Sequence, residues 1–394
     1  MNKIDRINPK LVPLSWLYGL GVGIRNELFN LKILKSKQFD IPVIGIGNIT
    51  VGGTGKTPHV EYIIELLQKS CKVAVLSRGY KRKTKGFVLA SKNSRMEDIG
   101  DEPYQMLQKY PNVTIAVDEK RVDGIKRLLA LEKSLVPDVI LLDDSYQHRY
   151  VKPGVNILLV DYHHLISEDH LLPAGRLREP ASNRDRADVI VVTKCPDNMK
   201  PIDFRVLTKT IEAHPYQKLF FSTINYKKLR KIFLDNVDEI ESLSDLENKN
   251  VLMLTGIASP ESLHEEISKH TSKIVPLSFD DHHDFLAEDV AKINATYANM
   301  PEPKLIITTE KDEMRLRETS GLSEEVKQHI FTLPIGVSFI NDQEDKFNKL
   351  IADFVSQNSS ADVVLVKKVE HENKPVVVVK KTEEKPKTIS FEDF

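Results

Sequence analysis

The chain has 394 residues, 41% of them apolar and 29% charged, which fits a globular protein long enough for two domains and excludes a mostly disordered or many-span membrane protein. Its 56 basic and 57 acidic residues nearly cancel, so no global field draws it to nucleic acid, and none is expected as a partner. Cys71 and Cys195 stand far apart, outside any C-x-x-C or Cys/His spacing, which argues against a disulfide framework or zinc site and for reduced thiols in the cytoplasm.

The first forty residues carry seven basic side chains (Lys3, Arg6, Lys10, Arg25, Lys32, Lys35, Lys37) against Asp5, Glu27 and Asp40. Inside this frame Leu11 to Ile24 is mostly apolar and includes Trp16 and Tyr18, a run shorter than the ~18 residues a spanning helix needs. Leu14, Leu17, Gly21, Ile24 and Leu28 recur at three- and four-residue steps and share one face of a helix. That pattern fits an amphipathic helix in a membrane interface and equally a core or dimer helix. A secretory signal is disfavoured, because no small-residue cleavage site follows.

An apolar strand, Ile41 to Ile46, then leads into Gly47-Asn48-Ile49-Thr50-Val51-Gly52-Gly53-Thr54-Gly55-Lys56-Thr57 and a helical segment from His59 to Leu67. Strand, glycine-rich turn and helix N-terminus in that order make a phosphate cradle. Backbone amides of Thr50, Val51, Gly52, Gly53, Thr54 and Gly55 surround the anion, Lys56 reaches the β- and γ-phosphates, and the Thr57 hydroxyl holds Mg²⁺. ATP and Mg²⁺ are therefore the expected cofactors. A strict pattern has glycine five residues before Gly55, where this chain has Thr50, so the entry turn must differ.

Strand Cys71 to Leu76 ends at Ser77-Arg78-Gly79-Tyr80, which puts Arg78 at a strand's carboxyl end, where open α/β sheets bind ligands. Gly100-Asp101-Glu102-Pro103 opens a helix, and position alone makes Asp101 a helix-start acid. Val139-Ile140-Leu141-Leu142-Asp143-Asp144 reads as a buried parallel strand delivering two carboxylates to its tip, the place of the Mg²⁺-holding aspartate in P-loop proteins. His148 continues that tip. Between strands at 155–161 and 188–194 lies Leu171-Leu172-Pro173-Ala174-Gly175-Arg176-Leu177-Arg178-Glu179-Pro180, too long for a plain connector.

From Leu219 the character changes. Residues 219–226 and 229–234 read as a hairpin or two-stranded linker, followed by a second α/β unit with strands near 251–255, 274–277, 305–309 and 329–333. This unit carries Asp280-Asp281-His282-His283-Asp284 and Thr309-Glu310-Lys311-Asp312. Adjacent histidines rarely chelate one ion, and the sharper reading has a His orient a carboxylate of the first domain. The predicted fold is α/β, a P-loop NTPase-like mostly parallel sheet with a smaller α/β domain. The expected boundaries are 1–40 (basic amphipathic segment), 41–218 (P-loop domain), 219–236 (two-stranded linker), 237–360 (smaller α/β domain) and 361–394 (appended tail).

Taken together, the P-loop string, Ser77-Arg78-Gly79-Tyr80, Gly100-Asp101-Glu102-Pro103, Asp143-Asp144-Ser145-Tyr146-Gln147-His148, the Leu172–Pro180 string, Asp281-His282-His283 and Thr309-Glu310-Lys311-Asp312 resemble, in order, the tetraacyldisaccharide 4'-kinase family of lipid A biosynthesis. The resemblance implies transfer of the ATP γ-phosphate to the 4'-hydroxyl of a tetraacylated, 1-phosphorylated glucosamine disaccharide, giving lipid IVA. It implies a peripheral enzyme, expected as a monomer, on the cytoplasmic face of the bacterial inner membrane, with the amino-terminal helix in lipid. By carry-over, Asp101 is the base, His282 assists it, Lys56 serves transfer, and Asp143, Asp144, His148 and Glu179 belong to the Mg·ATP end, with Arg78 in the cleft. Arg176 stands where the family string usually has proline, and the tail after Ala361 has no counterpart. A membrane-associated P-loop switch ATPase is the rival reading. A GTPase is disfavoured because in Thr193-Lys194-Cys195-Pro196-Asp197 the aspartate falls one residue late.

Overall fold

The computed structural model describes residues 8–233, 242–257, 260–281, 283–359, 361 and 363. The chain forms two compact units, one of residues up to Ile224 together with those from Val337, the other Asn225–Gly336.

In the first unit, helix α1 (Val12–Asn30) precedes strand β1 (Val43–Gly47) and helix α2 (Lys56–Leu67). Then come β2 (Val73–Ser77), β3 (Val88–Leu89), α3 (Met96–Ile99), α4 (Asp101–Lys109), β4 (Thr114–Val117), α5 (Arg121–Leu129), β5 (Val139–Asp143), β6 (Val155–Asp161), β7 (Val189–Thr193), α6 (Pro201–Ile211) and β8 (Lys218–Tyr226). In the second unit follow β9 (Arg230–Lys231), β10 (Asn250–Thr255), α7 (Glu261–Ser268), β11 (Ile274–Ser278), α8 (Ala287–Ala298), β12 (Lys304–Thr308), α9 (Glu310–Glu318), α10 (Glu324–His329) and β13 (Ile330–Thr332). Strand β14 (Ile335–Phe339) and helix α11 (Glu344–Asn358) close the chain's described part.

The large sheet has nine strands in the order β14-β8-β7-β6-β1-β5-β2-β4-β3. β1 lies between β5 and β6 and is parallel to both, with Ile46 opposite Asp143. Every residue of β1, β2, β5 and β7 is buried, as expected of parallel strands covered on both faces, which read as unbroken apolar runs. α2 covers one face with Val60, Ile63, Ile64 and Leu67, spaced for one helical stripe, against Ile44, Ile46, Val75 and Leu141. On the other face Ile125 and Leu128 of α5 meet Leu76, Ile140 and Leu142. The register brings the tips of β1 and β5 together, which sets up the site.

The second unit is a five-stranded sheet, β11-β10-β12-β13-β9, parallel apart from the last strand. Its core includes Leu252, Leu254, Ile293, Tyr297, Ile306 and Val326.

Two expectations are corrected. The strands at 219–226 and 229–234 do not pair as a hairpin. Lys218–Tyr226 runs parallel to β7, with Val191 opposite Phe220 and Val192 opposite Phe221, because those two rings are buried on opposite faces of the large sheet. Arg230–Lys231 instead pairs antiparallel with β13. Nor does the smaller domain extend to residue 360. Residues from Val337 belong to the first unit, because Phe347, Ile351, Phe354 and Val355 of α11 bury themselves with Phe220 and Phe339 in its core. Residues 234–236 of the expected linker, 237–241 of the expected smaller domain, and the expected tail apart from Ala361 and Val363 lie outside the described residues.

Candidate active site

The P-loop grows out of β1. Gly55 stands at the N-cap of α2 with φ +81°, a left-handed conformation that glycine adopts without strain, and no side chain caps the helix's first amides. Such an end attracts anions. The entry turn departs from the strict pattern for a visible reason. Thr50 is buried and bridges antiparallel to Leu177, while Val51 N donates to Arg176 O (2.8 Å) and Arg178 N donates to Ile49 O (2.7 Å). The 171–180 loop thus straps the entry turn in extended conformation, which a threonine adopts readily.

Lys56 Nζ lies 3.7 Å from Asp144 Oδ1, and Arg178 Nη1 lies 3.3 Å from Asp144 Oδ2. Burial works to raise the Asp144 pKa, yet Lys56 and Arg178 outweigh it and hold the carboxyl below its ordinary range. Asp143 behaves oppositely. Fully buried, and with Glu102 and Asp144 nearby, its pKa is pushed up to about 7 despite Lys56 and a 3.0 Å hydrogen bond from Ser77 Oγ to its Oδ2. Its Oδ1 is buried with no hydrogen-bond partner, an acceptor oxygen suited to a cation or a cation-bound water. Thr57 is buried in the first turn of α2.

The influence of Glu102 on Asp143 sets the start of α4 beside the tip of β5. Backbone packing joins the start of α4 to the turn after β2. Gly100 has φ +91°, and a Cβ there would fall 2.7 Å from Tyr80 O, so the turn after β2 and the start of α4 touch along their main chains. Arg78 and Asp101 are carried on these two touching segments. Asp101 opens α4 from the N-cap Gly100.

Arg121 is a site residue that the sequence did not single out. It is 2% exposed, and its guanidinium donates to Asp118 O (2.7 Å) and to the Asp143 carbonyl (3.0 Å). Burial pulls its pKa down to about 10, with Asp143 and Asp144 opposing that pull. The same burial effect, joined by the charges of Arg121, Arg25 and Arg78, lowers His148 to about 4. The His148 imidazole is therefore neutral and feels three guanidinium charges, of which Arg121 also acts on both aspartates. Glu179 is buried and ion-paired with Arg186, with its Oε1 unpartnered.

Helix α1 is bonded to the strap. Asn8 N donates to Ala174 O (2.9 Å), Ser15 Oγ donates to Leu171 O (2.9 Å) and accepts from Ala174 N (3.0 Å), and Tyr18 OH donates to Arg178 O (2.9 Å). Its buried residues are Ser15, Asn26 and Phe29, whereas Trp16 (74% exposed), Leu17 (66%), Leu20 (61%) and Ile24 (54%) face outward. The polarity of an ordinary core helix is reversed here. Among the described residues no helix is long and apolar enough to cross a membrane.

In the second unit His283 Nε2 lies 2.8 Å from Asp289 Oδ2, and its ring stacks on Phe279. Asp312, fully buried, accepts from Gly256 N (3.0 Å) and Thr309 Oγ1 (2.8 Å). His282 lies outside the described residues.

The family described as Tetraacyldisaccharide-1-P 4'-kinase matches residues 7–356. The chain belongs to the tetraacyldisaccharide-1-P 4'-kinase family. It is 53% identical over 356 residues to the tetraacyldisaccharide 4'-kinase of Phocaeicola vulgatus, covering 90% of this chain and 97% of that protein. It is 50% identical over 361 residues to the protein of the same name from Bacteroides thetaiotaomicron, covering 90% and 95%. Among solved structures it is similar to the "apo" form of LpxK from Aquifex aeolicus in complex with ATP, with a TM-score of 0.66 and 32% identity over 87% of this chain and 97% of that one. The P-loop and the Asp143–Asp144 tip of this 4'-kinase family member thus sit in a fold shared with an ATP-bound relative.

Proposed function

We propose that the protein transfers the γ-phosphate of ATP to the 4'-hydroxyl of a tetraacylated glucosamine disaccharide 1-phosphate, giving lipid IVA. What carries the reading is Lys56 beside Asp144 at the mouth of a P-loop, in a chain of the 4'-kinase family. Residues 50–57, Arg78, His148 and Glu179 hold the nucleotide. The sugar oxygen attacks the γ-phosphorus, the bond from that phosphorus to the β–γ bridging oxygen breaks, ADP leaves, and the hydroxyl proton passes to the Asp101 carboxylate, assisted by His282. Phosphoryl transfer depends on positioning and charge neutralisation, which Lys56, Arg178 and the loop amides provide.

Asp143, Asp144 and Thr57 fit a Mg²⁺ ion, since the buried Asp143 Oδ1 has no hydrogen-bond partner. Among the described residues no three His, Cys, Asp or Glu side chains form a complete metal cage, and Mg²⁺ in phosphoryl-transfer sites typically takes one or two carboxylates plus phosphate oxygens. When bound, the ion neutralises charge on the β- and γ-phosphates. The outward face of α1 lies in the cytoplasmic leaflet of the inner membrane, where Trp16, Leu17, Leu20 and Ile24 meet lipid and the lipid substrate is presented.

The test is an assay with γ-labelled ATP, with and without the tetraacyl disaccharide 1-phosphate in mixed micelles. The reading expects label in a lipid carrying one more phosphate. Labelled inorganic phosphate released at the same rate without the lipid, and no labelled lipid, would sink it in favour of a switch ATPase.

A further inference from the structure

His59 is 3% exposed and takes no part in the chemistry described so far. One turn into α2, its ring bends back onto the P-loop. Nδ1 lies 2.7 Å from the Gly55 carbonyl oxygen, and Nε2 lies 2.9 Å from Ser222 Oγ on β8. A carbonyl only accepts, so Nδ1 carries the proton, Nε2 presents its lone pair, and the Ser222 hydroxyl donates to it. Next to it Thr193 Oγ1, at the tip of β7, donates to the Thr54 carbonyl (3.0 Å).

These bonds act on the far side of two successive peptide units. A trans peptide is planar, with C=O and N–H pointing in opposite directions. Holding the Thr54 carbonyl therefore aims the Gly55 N–H, and holding the Gly55 carbonyl aims the Lys56 N–H, both away from β7 and β8 toward the side where a phosphate would lie. The Gly55 carbonyl also accepts the first backbone bond of α2, from His59 N (3.2 Å), so the ring adds a second and shorter bond to the peptide plane of a residue at φ +81°.

We propose that His59, locked by Ser222, is a positioning residue that fixes the Lys56 amide for the nucleotide phosphates, with Thr193 doing the same for the Gly55 amide. The proposal rests on the reading of the P-loop as an ATP site. It connects the grip on phosphate to β8, the strand through which the chain leaves the first unit.

Calorimetric titration of the full chain with Mg·ATP, without lipid, tests it, alongside steady-state kinetics. An Asn side chain can put an amide donor near the place of Nδ1, whereas Gln reaches the place of Nε2 and Phe offers neither. His59→Phe and His59→Gln are expected to weaken ATP binding about three- to tenfold, the effect of one lost hydrogen bond. The KM for ATP should rise by a similar factor while the KM for the lipid acceptor stays within about twofold. His59→Asn should retain affinity within about twofold of wild type. If wild type binds no ATP, the P-loop reading itself fails. Where wild type binds ATP and either the Phe or the Gln variant binds equally well, or Asn weakens binding as much as they do, the role assigned to His59 is overturned. Failure of the Phe variant to fold leaves the Gln–Asn pair to decide.

Discussion

Lys56 Nζ and Asp144 Oδ1 stand 3.7 Å apart, and the same aspartate also holds Arg178. Asp144 therefore keeps a cation when Lys56 is removed, and the fold survives its loss. Lys56→Met is expected to lower kcat about 10²- to 10³-fold, the usual effect of losing one donor to transition-state charge. The urea midpoint should change little. A variant that retains more than a tenth of wild-type kcat would contradict this role for the lysine.

Asp143 makes stability depend on pH in an unusual direction. In the unfolded chain its carboxyl ionises near 3.8, and in the folded protein near 7. Between these values the folded state holds the extra proton, so the contribution of Asp143 to stability is fully present below about pH 4 and is lost as pH rises through 7. Asp143→Asn mimics the protonated form. In metal-free buffer at pH 8 the variant is expected to be about 1–3 kcal/mol more stable than wild type in urea unfolding. The difference should vanish near pH 4, and a wild type equally stable or more stable at pH 8 contradicts the assignment.

Asp101 is proposed as the base, and its loss should affect chemistry but not nucleotide binding. Asp101→Ala is expected to reduce single-turnover phosphate transfer about 10²- to 10⁴-fold. ATP affinity measured by calorimetry should stay within about twofold, because the loop amides and Lys56 are untouched. Full turnover in the variant would remove Asp101 from the mechanism.

The outward face of α1 is predicted to bind lipid through apolar burial. Each large aliphatic side chain contributes about 1.5–3 kcal/mol when fully buried. The triple variant Leu17→Ser, Leu20→Ser, Ile24→Ser should therefore lose at least about 10²-fold in partitioning to anionic vesicles, measured by co-sedimentation. ATP binding in solution should be unchanged, since none of the three faces the strap. Equal partitioning would mean that this face serves something other than lipid.

What could be read from the sequence was local. The strand, the glycine-rich turn and the helix of the P-loop are contiguous, and Asp143 and Asp144 follow four apolar residues that belong in a buried strand. Arg121 was hidden because it looked like one of several helix cations. Only the packing of α5 beneath the β5 tip buries its guanidinium against the Asp143 carbonyl. The pairing of the 219–236 segment is hidden from the sequence for a related reason. The apolar content of 219–226 predicts a strand without naming its partner, and that partner is β7. The return of β14 and α11 to the first sheet depends on contacts with Phe220, more than a hundred residues earlier in the chain. The reversed polarity of α1 was half visible. Its apolar stripe is in the sequence, but the inward side is made of Ser15, Asn26 and Phe29, whose partners lie in distant loops.

The hydrogen bonds from Asn8, Ser15 and Tyr18 to the strap have a practical side. Trimming the amino terminus to obtain a better-behaved protein would remove more than a greasy handle. The segment that braces Ile49 and Val51 would lose its outer support, and nucleotide would then meet a loosened rim. Helix α1 and the rim of the P-loop are in effect one mechanical part.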